Sequence, residues 1–571
     1  MGRVIWSLVI SITLAGLSGC STSPRSGGVV AADHRLASEA GAEILSRGGN
    51  AVDAAVATAL ALSVVRPDSC GLGGGGFMVI HLEGEEGRGP VDTTINFRET
   101  CPAAIGPDTY EAWDAPEASR FGGRAVAVPG SVAGLLYALD RYGSLDREDV
   151  FAPAIRLAED GFAADEHHVQ AARDVARRFE EHPDWTRRFG FVWSRLMRSG
   201  RVEVGETIRN PEQAWALRLI AKRGADAFYK GQIAESIVRA AARDGGVLTK
   251  NDLASYTVTE TPPIRLAWRD KTLLVMPPPS SGGVAIAQTF GLVDRLGVSL
   301  PETGWPDAAN AHLLAEIFKH AFADRSRYMA DPAFADVPVD KMLDARALDR
   351  VAEQIDPAHT KPIDTYGVAP IPNDSGTSHF CVVDGRGNAV ACTQTINLEF
   401  GSLVTVDGFG FCLNDEMDDF TTVRGKANAF GLRQSDTNLP HPGQRPLSSM
   451  SPTIVLDADG RVFALAGASG GPRIITGTAQ ALLRVLLADA SATQAVRAPR
   501  LHHQWLPDKL YLETWPDPGA PEPLGAGLVK RGQTLTERRD DGVVQLIRRD
   551  ARGGWQAACD PRKGGRPAWE E

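Results

Sequence analysis

Two patterns of apolar and polar positions organise the start of the chain. Leu36 to Arg47 reads as a helix closed by Gly48-Gly49. Asn50 is placed to cap a second helix, Ala51 to Val65, in which Val52, Val56, Leu60 and Val64 recur every four residues. The many alanines between them predict close packing of that helix against a sheet, and Pro67 ends it. Phe77 to Leu82 follows as a strand-like run. Met276 to Gly283 (Met-Pro-Pro-Pro-Ser-Ser-Gly-Gly) predicts a rigid turn opening a further helix, its Ser280 to Gly283 loop bordering a cleft. The rest of Pro107 to Ala369 mixes charged helical segments with short apolar runs and reads as scaffold. No internal repeat is present.

Late in the chain the period changes from four to two. Thr377 to Val383 and Ala389 to Asn397 are β-prone runs separated by Asp384-Gly385-Arg386-Gly387-Asn388, a hairpin loop. Pairing Val383 with Ala389 places Thr377 opposite Thr395. Side-chain alternation then puts Thr377, Thr395 and Asn397 on one face. The hairpin begins directly after Gly376. A threonine hydroxyl is a poor nucleophile without an adjacent base, and a cut between Gly376 and Thr377 would supply one, the freed α-amine of Thr377 itself. Such an amine has a pKa of about 7.7–8.0, suited to general-base work near neutrality. The Thr395 hydroxyl is placed to orient it.

Composition narrows the function classes. At 571 residues, 43% hydrophobic and 23% charged, the chain is globular and long enough for a large core. A net charge of −11 without a dense basic stretch argues against a nucleic-acid partner. Arg3 followed by the apolar run Val4 to Leu17 has the length of a signal-peptide core and is short for a membrane span. Leu17-Ser18-Gly19-Cys20 resembles a bacterial lipoprotein cleavage box, with Cys20 as the lipidated residue, Ser21 to Gly28 as a tether, and residues 1–20 as the leader. A plain cleaved signal is the alternative. The expected location is the periplasm, with membrane contact only through the lipid.

The six remaining cysteines match neither a metal site nor a dense disulfide framework. Cys381 and Cys392 fall on opposite faces of the predicted hairpin, which argues against a bridge between them. His167-His168 and His502-His503 read as solvated loop residues, and neither a metal nor a cofactor is expected. Gly71 to Gly76 fits G-x-G-x-x-G, but a helix precedes it and a strand follows, the reverse of a dinucleotide site.

Three further stretches add chemistry. Asn414 to Phe420 is an acidic cluster able to hold an ammonium group. Arg445 to Pro452 sets Ser448 and Ser449 in a proline-framed turn. Gly470-Gly471 offers two consecutive backbone N–H groups suited to an oxyanion hole. Together with Gly71 to Phe77, Asn96-Phe-Arg-Glu99 and Thr377-Ser-His379, these motifs make the chain resemble the γ-glutamyltransferase (glutathione hydrolase) family of N-terminal-nucleophile hydrolases, over nearly all of its length after the leader.

That resemblance implies an α+β fold, the four-layer αββα sandwich, made from a large subunit (21–376) and a small subunit (377–571) of one self-cleaved precursor. It implies Arg98, Ser448 and Ser449 on a glutamyl α-carboxylate and Asn397, Glu416 and Asp419 on the α-ammonium. The implied partners are small molecules: glutathione and other γ-glutamyl donors, with water, amino acids or dipeptides as acceptors. Two departures stand out. Glu416 stands where some members carry Gln, and Phe430 where some carry Tyr, so Phe430 lacks a hydroxyl to tie the loop above the cleft to Asn397. The alternatives are a cephalosporin-type β-lactam acylase of the same fold and a non-catalytic lipoprotein that binds γ-glutamyl peptides.

Overall fold

The computed structural model describes residues 27–84, 89–115, 117–362, 376–515, 519–539 and 542–571. The leader and Cys20 lie outside the described residues. Two antiparallel sheets form the centre. The first runs in the order Ala568–Trp569, Val29–Ala32, Thr377–Val383, Ala389–Thr395, Gly75–Leu82, Val91–Asn96, Thr259–Thr261. The second runs Trp555–Cys559, Val543–Arg549, Val462–Ser469, Thr453–Leu456, Lys271–Val275, Ile264–Trp268. Both sheets combine strands from either side of Gly376, so the chain before and after that glycine shares one core.

The two sheets pack face to face, and strict alternation decides which side chains lie between them. Val29, Ala31, Phe77, Val79, Cys381 and Val383 point into the intersheet layer with Ile454 and Leu465. Val30, Met78, Ile80, Phe380, Val382 and Cys392 point the other way, toward helices. Cys381 and Cys392 therefore sit on opposite faces, as their spacing predicted. The helices Arg35–Ser46 and Ala51–Val65 cover the first sheet, and Arg473–Ala488 with Ser281–Leu296 cover the second. The result is the αββα order.

The second helix spans the predicted Ala51–Val65, with Asn50 and Asp53 forming a reciprocal capping box. All of its residues are buried, not just one stripe, because helices Ser131–Tyr142 and Arg147–Asp160 close over its outer side. Its alanines permit that approach on every face. The strand expected from Phe77 to Leu82 begins at Gly75, two residues earlier than the apolar run suggested. The preceding glycines have a packing reason: a side chain on Gly74 would meet the carbonyl oxygen of Thr395, and one on Gly73 that of Cys412. The Gly run lets this segment lie against the Thr377–Thr395 hairpin, a packing reason that needs no nucleotide. Ser280 caps the helix Ser281–Leu296 where the proline-rich turn placed its start.

The histidine pairs correct the sequence reading. His168, His502 and His503 are fully buried and His167 is half-buried. His168 bonds the Leu196 carbonyl at 2.9 Å, and His502 bonds Thr476 Oγ1 at 2.8 Å and Gln504 Oε1 at 2.9 Å. They are structural links inside the core. Adjacent polar residues gave no sign of this, since their partners lie 26 to 28 residues away or on the opposite side of a loop.

Candidate active site

Hairpin register places the central pair. Val383 pairs with Ala389 and, six steps along, Thr377 pairs with Thr395. The strand ends at Thr395, and Asn397 turns out of it with φ +78°, a left-handed conformation that Asn tolerates better than most residues.

The hydrogen bonds at this pair have a definite sense. Thr395 Oγ1 donates to the Gly376 carbonyl at 2.6 Å and accepts from Asn397 N–H at 2.9 Å. Thr377 Oγ1 lies 3.2 Å from Thr395 Oγ1. A hydroxyl has one proton, and that of Thr395 is committed to Gly376, so Thr377 must be the donor to Thr395. Thr395 thus touches both the hydroxyl that would attack and the carbonyl that would be attacked. Gly376 has φ +94°, and a Cβ there would run into the Asn397 carbonyl, so glycine is required at this step of the chain.

Thr377 and Thr395 open into a small cavity of about 20 Å3, room for about one water. Its wall also carries Arg98, Asn397, Glu416, Asp419, Ser448, Ser449 and Gly471, together with Phe430, Leu432, Met450 and Ile474. Of the ten side chains and backbone groups predicted from sequence, only Gly470 is off this wall, and it directly precedes Gly471. Both glycines have positive φ, +127° and +51°, at the end of the strand Val462–Ser469. A larger cavity of about 650 Å3 around Phe121, Trp185 and Arg188 contains none of these groups.

Arg98 is fully buried and organises the polar wall. It pairs with Glu416 through one terminal nitrogen and with Asp419, at 2.5 Å, through the other. Its Nε donates to the Pro446 carbonyl at 3.2 Å and its second terminal nitrogen reaches the Leu447 carbonyl at 3.4 Å, so it also holds the turn that presents Ser448. That turn is braced from behind: Ser281 Oγ donates to the Ser448 carbonyl and Ser280 Oγ to the Met450 carbonyl, each at 2.6 Å. The Ser280 to Gly283 loop therefore supports the cavity wall and does not line it.

Carboxylates outnumber cations here. Burial raises the pKa of Glu416 well above the usual range, with Arg98 opposing the shift. Burial likewise raises Asp419, against the pull of Arg98 and Arg325, and pushes Glu99 up to about 7. Asp415 is raised well above its ordinary value for the same reason, with Asp418 and Asp419 adding to it. Burial lowers Arg325 to about 10. Glu416 Oε2 and Glu99 Oε1 are buried without a hydrogen-bond partner among the described residues. Such a cluster favours an added positive charge.

Sequence reasoning missed several contributors. Asp415 accepts from Asn397 Nδ2 at 3.3 Å and from Leu398 N–H at 2.9 Å, and Asn428 Nδ2 donates to Asp419 at 2.9 Å. Asp415 lay inside the acidic stretch already singled out, and Asn428 stands two residues before Phe430 in the loop above the cleft. Arg325, which donates to Ser281 Oγ at 2.9 Å, sits in a long helix with no local signal.

A sequence model of the gamma-glutamyltranspeptidase family matches residues 37–569. The glutathione hydrolase proenzyme of Pseudomonas aeruginosa is 38% identical over 565 residues, which cover 97% of this chain and 97% of the relative. Among solved structures, the cephalosporin acylase from Bacillus halodurans matches with a TM-score of 0.83 and 26% identity, over 99% of this chain and 100% of its own. The gamma-glutamyltranspeptidase from Pseudomonas nitroreducens, complexed with L-DON, matches at 34% identity and a TM-score of 0.52, over 62% of this chain and 98% of its own. Motif order, fold and whole-length likeness agree, and the chain belongs to the gamma-glutamyltranspeptidase family.

Proposed function

We propose that the protein cuts itself between Gly376 and Thr377 and then hydrolyses and transfers γ-glutamyl groups, with glutathione as a donor, through the freed Thr377. The observation that carries this reading is the Thr395 hydroxyl, bonded at once to Thr377 Oγ1 and to the Gly376 carbonyl. In the intact chain Thr395 polarises the Gly376 carbonyl while Thr377 Oγ1 attacks it. The Gly376–Thr377 C–N bond breaks as the ester C–O bond forms, and the proton leaving the hydroxyl ends on the Thr377 nitrogen. Water then cleaves the ester, leaving a Gly376 carboxylate and a free Thr377 amine.

In the mature site that amine takes the Thr377 hydroxyl proton as the oxygen attacks the γ-carbonyl of the donor. It returns the proton to the departing amine. The N–H groups of Gly470 and Gly471 would hold the tetrahedral oxyanion, a stabilisation of roughly 3–4 kcal/mol per donor in a comparable site. Water or an amino acid or dipeptide acceptor then takes the γ-glutamyl group from the ester.

Donor selection rests on the polar wall. The surplus of buried carboxylates suits an α-ammonium at Glu416, Asp419 and Asn397. Ser448, Ser449 and the guanidinium fork of Arg98 suit the α-carboxylate. Arg98 already spans Glu416 and Asp419, so a glutamyl head enters by sharing or displacing those pairs. Convergence of Arg98, Asp419 and both serines favours a zwitterionic head over the side chain of a β-lactam.

The two pieces, 21–376 and 377–571, would remain joined through both sheets after the cut. The Pseudomonas nitroreducens structure supports this division: 98% of its chain matches 62% of this one, close to the share made up by residues 21–376. Incubation with glutathione, with and without glycylglycine, followed by N-terminal sequencing of the small piece, tests the whole reading. A small piece starting at a residue other than Thr377 would refute the mechanism.

The loop above the cavity is held without the hydroxyl that Phe430 lacks. The Phe430 ring is buried against Trp505, Leu506 and Ile475, and its carbonyl accepts from Gln504 Nε2 at 3.2 Å. A Phe430→Tyr hydroxyl directed at Asn397 adds one buried bond, worth about 0.5–1.5 kcal/mol. It should therefore lower the ratio of glutamate to γ-glutamylglycylglycine by roughly two- to tenfold at fixed acceptor. An unchanged product ratio would mean that packing alone governs the loop.

The cleavage box at Cys20 supports a further part of the proposal, export to the periplasm with a lipid anchor. Cys20→Ser should move the protein out of the membrane fraction in a host that processes lipoproteins. Continued membrane association would point to a different anchor.

A further inference from the structure

We propose that the buried Lys563 is a positioning residue, which locks the nucleophile strand against the oxyanion turn and keeps the freed Thr377 amine unprotonated. The inference rests on Thr377 being the N-terminal nucleophile. Lys563 is 4% exposed. Its Nζ donates to the Thr377 carbonyl at 2.6 Å, to Asp33 Oδ2 at 2.9 Å and to Ser469 Oγ at 3.5 Å. Three donors meet three acceptors, so the ammonium is fully satisfied.

Those acceptors come from different layers. Thr377 begins a strand of the seven-stranded sheet, and Asp33 directly follows another, Val29–Ala32. Ser469 ends a strand of the six-stranded sheet and is followed at once by Gly470-Gly471. One ammonium therefore spans the gap between the sheets where the nucleophile must face the oxyanion donors. The anchor is itself fixed. Arg66, paired with Asp165 at 2.6 Å, donates to the Lys563 carbonyl at 3.0 Å, and Gln545 Nε2 donates to Asp33 at 2.5 Å.

The charge has a second effect. The carbonyl oxygen and the nitrogen of one residue are joined through three bonds, so Nζ lies within about 6 Å of the Thr377 nitrogen. A positive charge that close disfavours a protonated amine, which is useless as a base. Asp33, paired with the same Nζ at 2.9 Å, opposes this effect. Arg66, Asp68 and His167 stand near Lys563, and Arg98, Glu416 and Asp419 line the cavity with Thr377. All of these stay in place when only Lys563 is changed.

The test compares Lys563→Met with the charge-free pair Asp33→Asn/Lys563→Met, each as cut enzyme confirmed by gel and by N-terminal sequencing. Lys563→Met should lower kcat tenfold or more with little change in the KM for glutathione. The acid limb of its kcat/KM profile should move up by about one pH unit or more. The double variant should return that limb toward its original place, because both charges are gone, while kcat stays low because the clamp is gone. A folded Lys563→Met chain that cuts itself slowly also supports the positioning role, since self-cleavage uses the same strand. If Lys563→Met does not fold, the double variant, which buries no unpaired charge, decides by its kcat. Either variant with wild-type kcat, or Lys563→Met with an unshifted acid limb, overturns the proposal. A wild-type small piece beginning elsewhere than Thr377 would instead remove the reading beneath it.

Discussion

Thr377→Ala should accumulate as one uncut chain with no measurable γ-glutamyl turnover. The substitution removes the hydroxyl that the Thr395 bridge sets against the Gly376 carbonyl, so the proposed first step has no nucleophile. It leaves the fold intact. Thr395 keeps its bonds to the Gly376 carbonyl and Asn397 N–H, and the lost hydroxyl and methyl cost about 1–2 kcal/mol, within the range of an ordinary buried truncation. Loss of a hydroxyl nucleophile in a comparable acyl-transfer site costs on the order of 10⁶ in kcat, far more than any effect of weakened donor binding. A denaturing gel and an assay of glutamate release read both consequences. A Thr377→Ala chain that still separates into two pieces, or still releases glutamate, would mean that another residue performs the chemistry. Thr377→Ser, which keeps hydroxyl and amine, should cut itself and turn over.

The extent to which this site was legible in the sequence follows from how local each constraint is. Thr377 opposite Thr395 needed only a loop of known length between two β-prone runs, and the structure has that register. Asn50 and the Ala51–Val65 helix were equally local. The cavity wall was legible through motif order, since Arg98, Asn414 to Phe420 and Ser448-Ser449 each carry recognisable neighbours. What remained hidden depends on contacts between distant segments. The ion pairs of Arg98 reach across more than 300 residues to Glu416 and Asp419. Lys563 lies 186 residues from Thr377, in a stretch whose composition suggests a surface loop. The histidine pairs failed for the same reason: polar residues next to each other say nothing about the core groups that satisfy them. Phe430 shows the converse. A missing hydroxyl was visible in the sequence, but the apolar cluster that holds the loop in its place was not.

Arg98→Ala should separate donor use from self-cleavage, though less cleanly than motif matching alone suggests. Taken as a carboxylate ligand only, Arg98 would be worth about 1.5–3 kcal/mol to donor binding, or roughly ten- to 150-fold in kcat/KM for glutathione. In the folded protein Arg98 also neutralises Glu416 and Asp419, and removing one partner of a buried ion pair typically costs about 3–5 kcal/mol. Part of that cost is avoided here, because carboxylates whose pKa burial has already raised can take up a proton when the guanidinium is lost. The sign then fixes the pH dependence. Carboxyl groups with raised folded-state pKa values stabilise the fold while protonated, and that stability is lost as pH rises through the folded pKa. Arg98→Ala should thus lower the melting temperature more at pH 8 than at pH 5. Its kcat/KM for glutathione should fall at least a hundredfold at either pH, since the guanidinium fork proposed to hold the donor carboxylate is gone. Self-cleavage depends on Thr377, Thr395 and Gly376 and should reach completion at pH 5 to 6. Asp419→Asn leaves Arg98 with Glu416 and should show the loss in donor use with a smaller loss of stability. Either variant, fully cut and with wild-type glutathione kinetics, would remove the zwitterion clamp from the donor site and leave these charges a purely structural role.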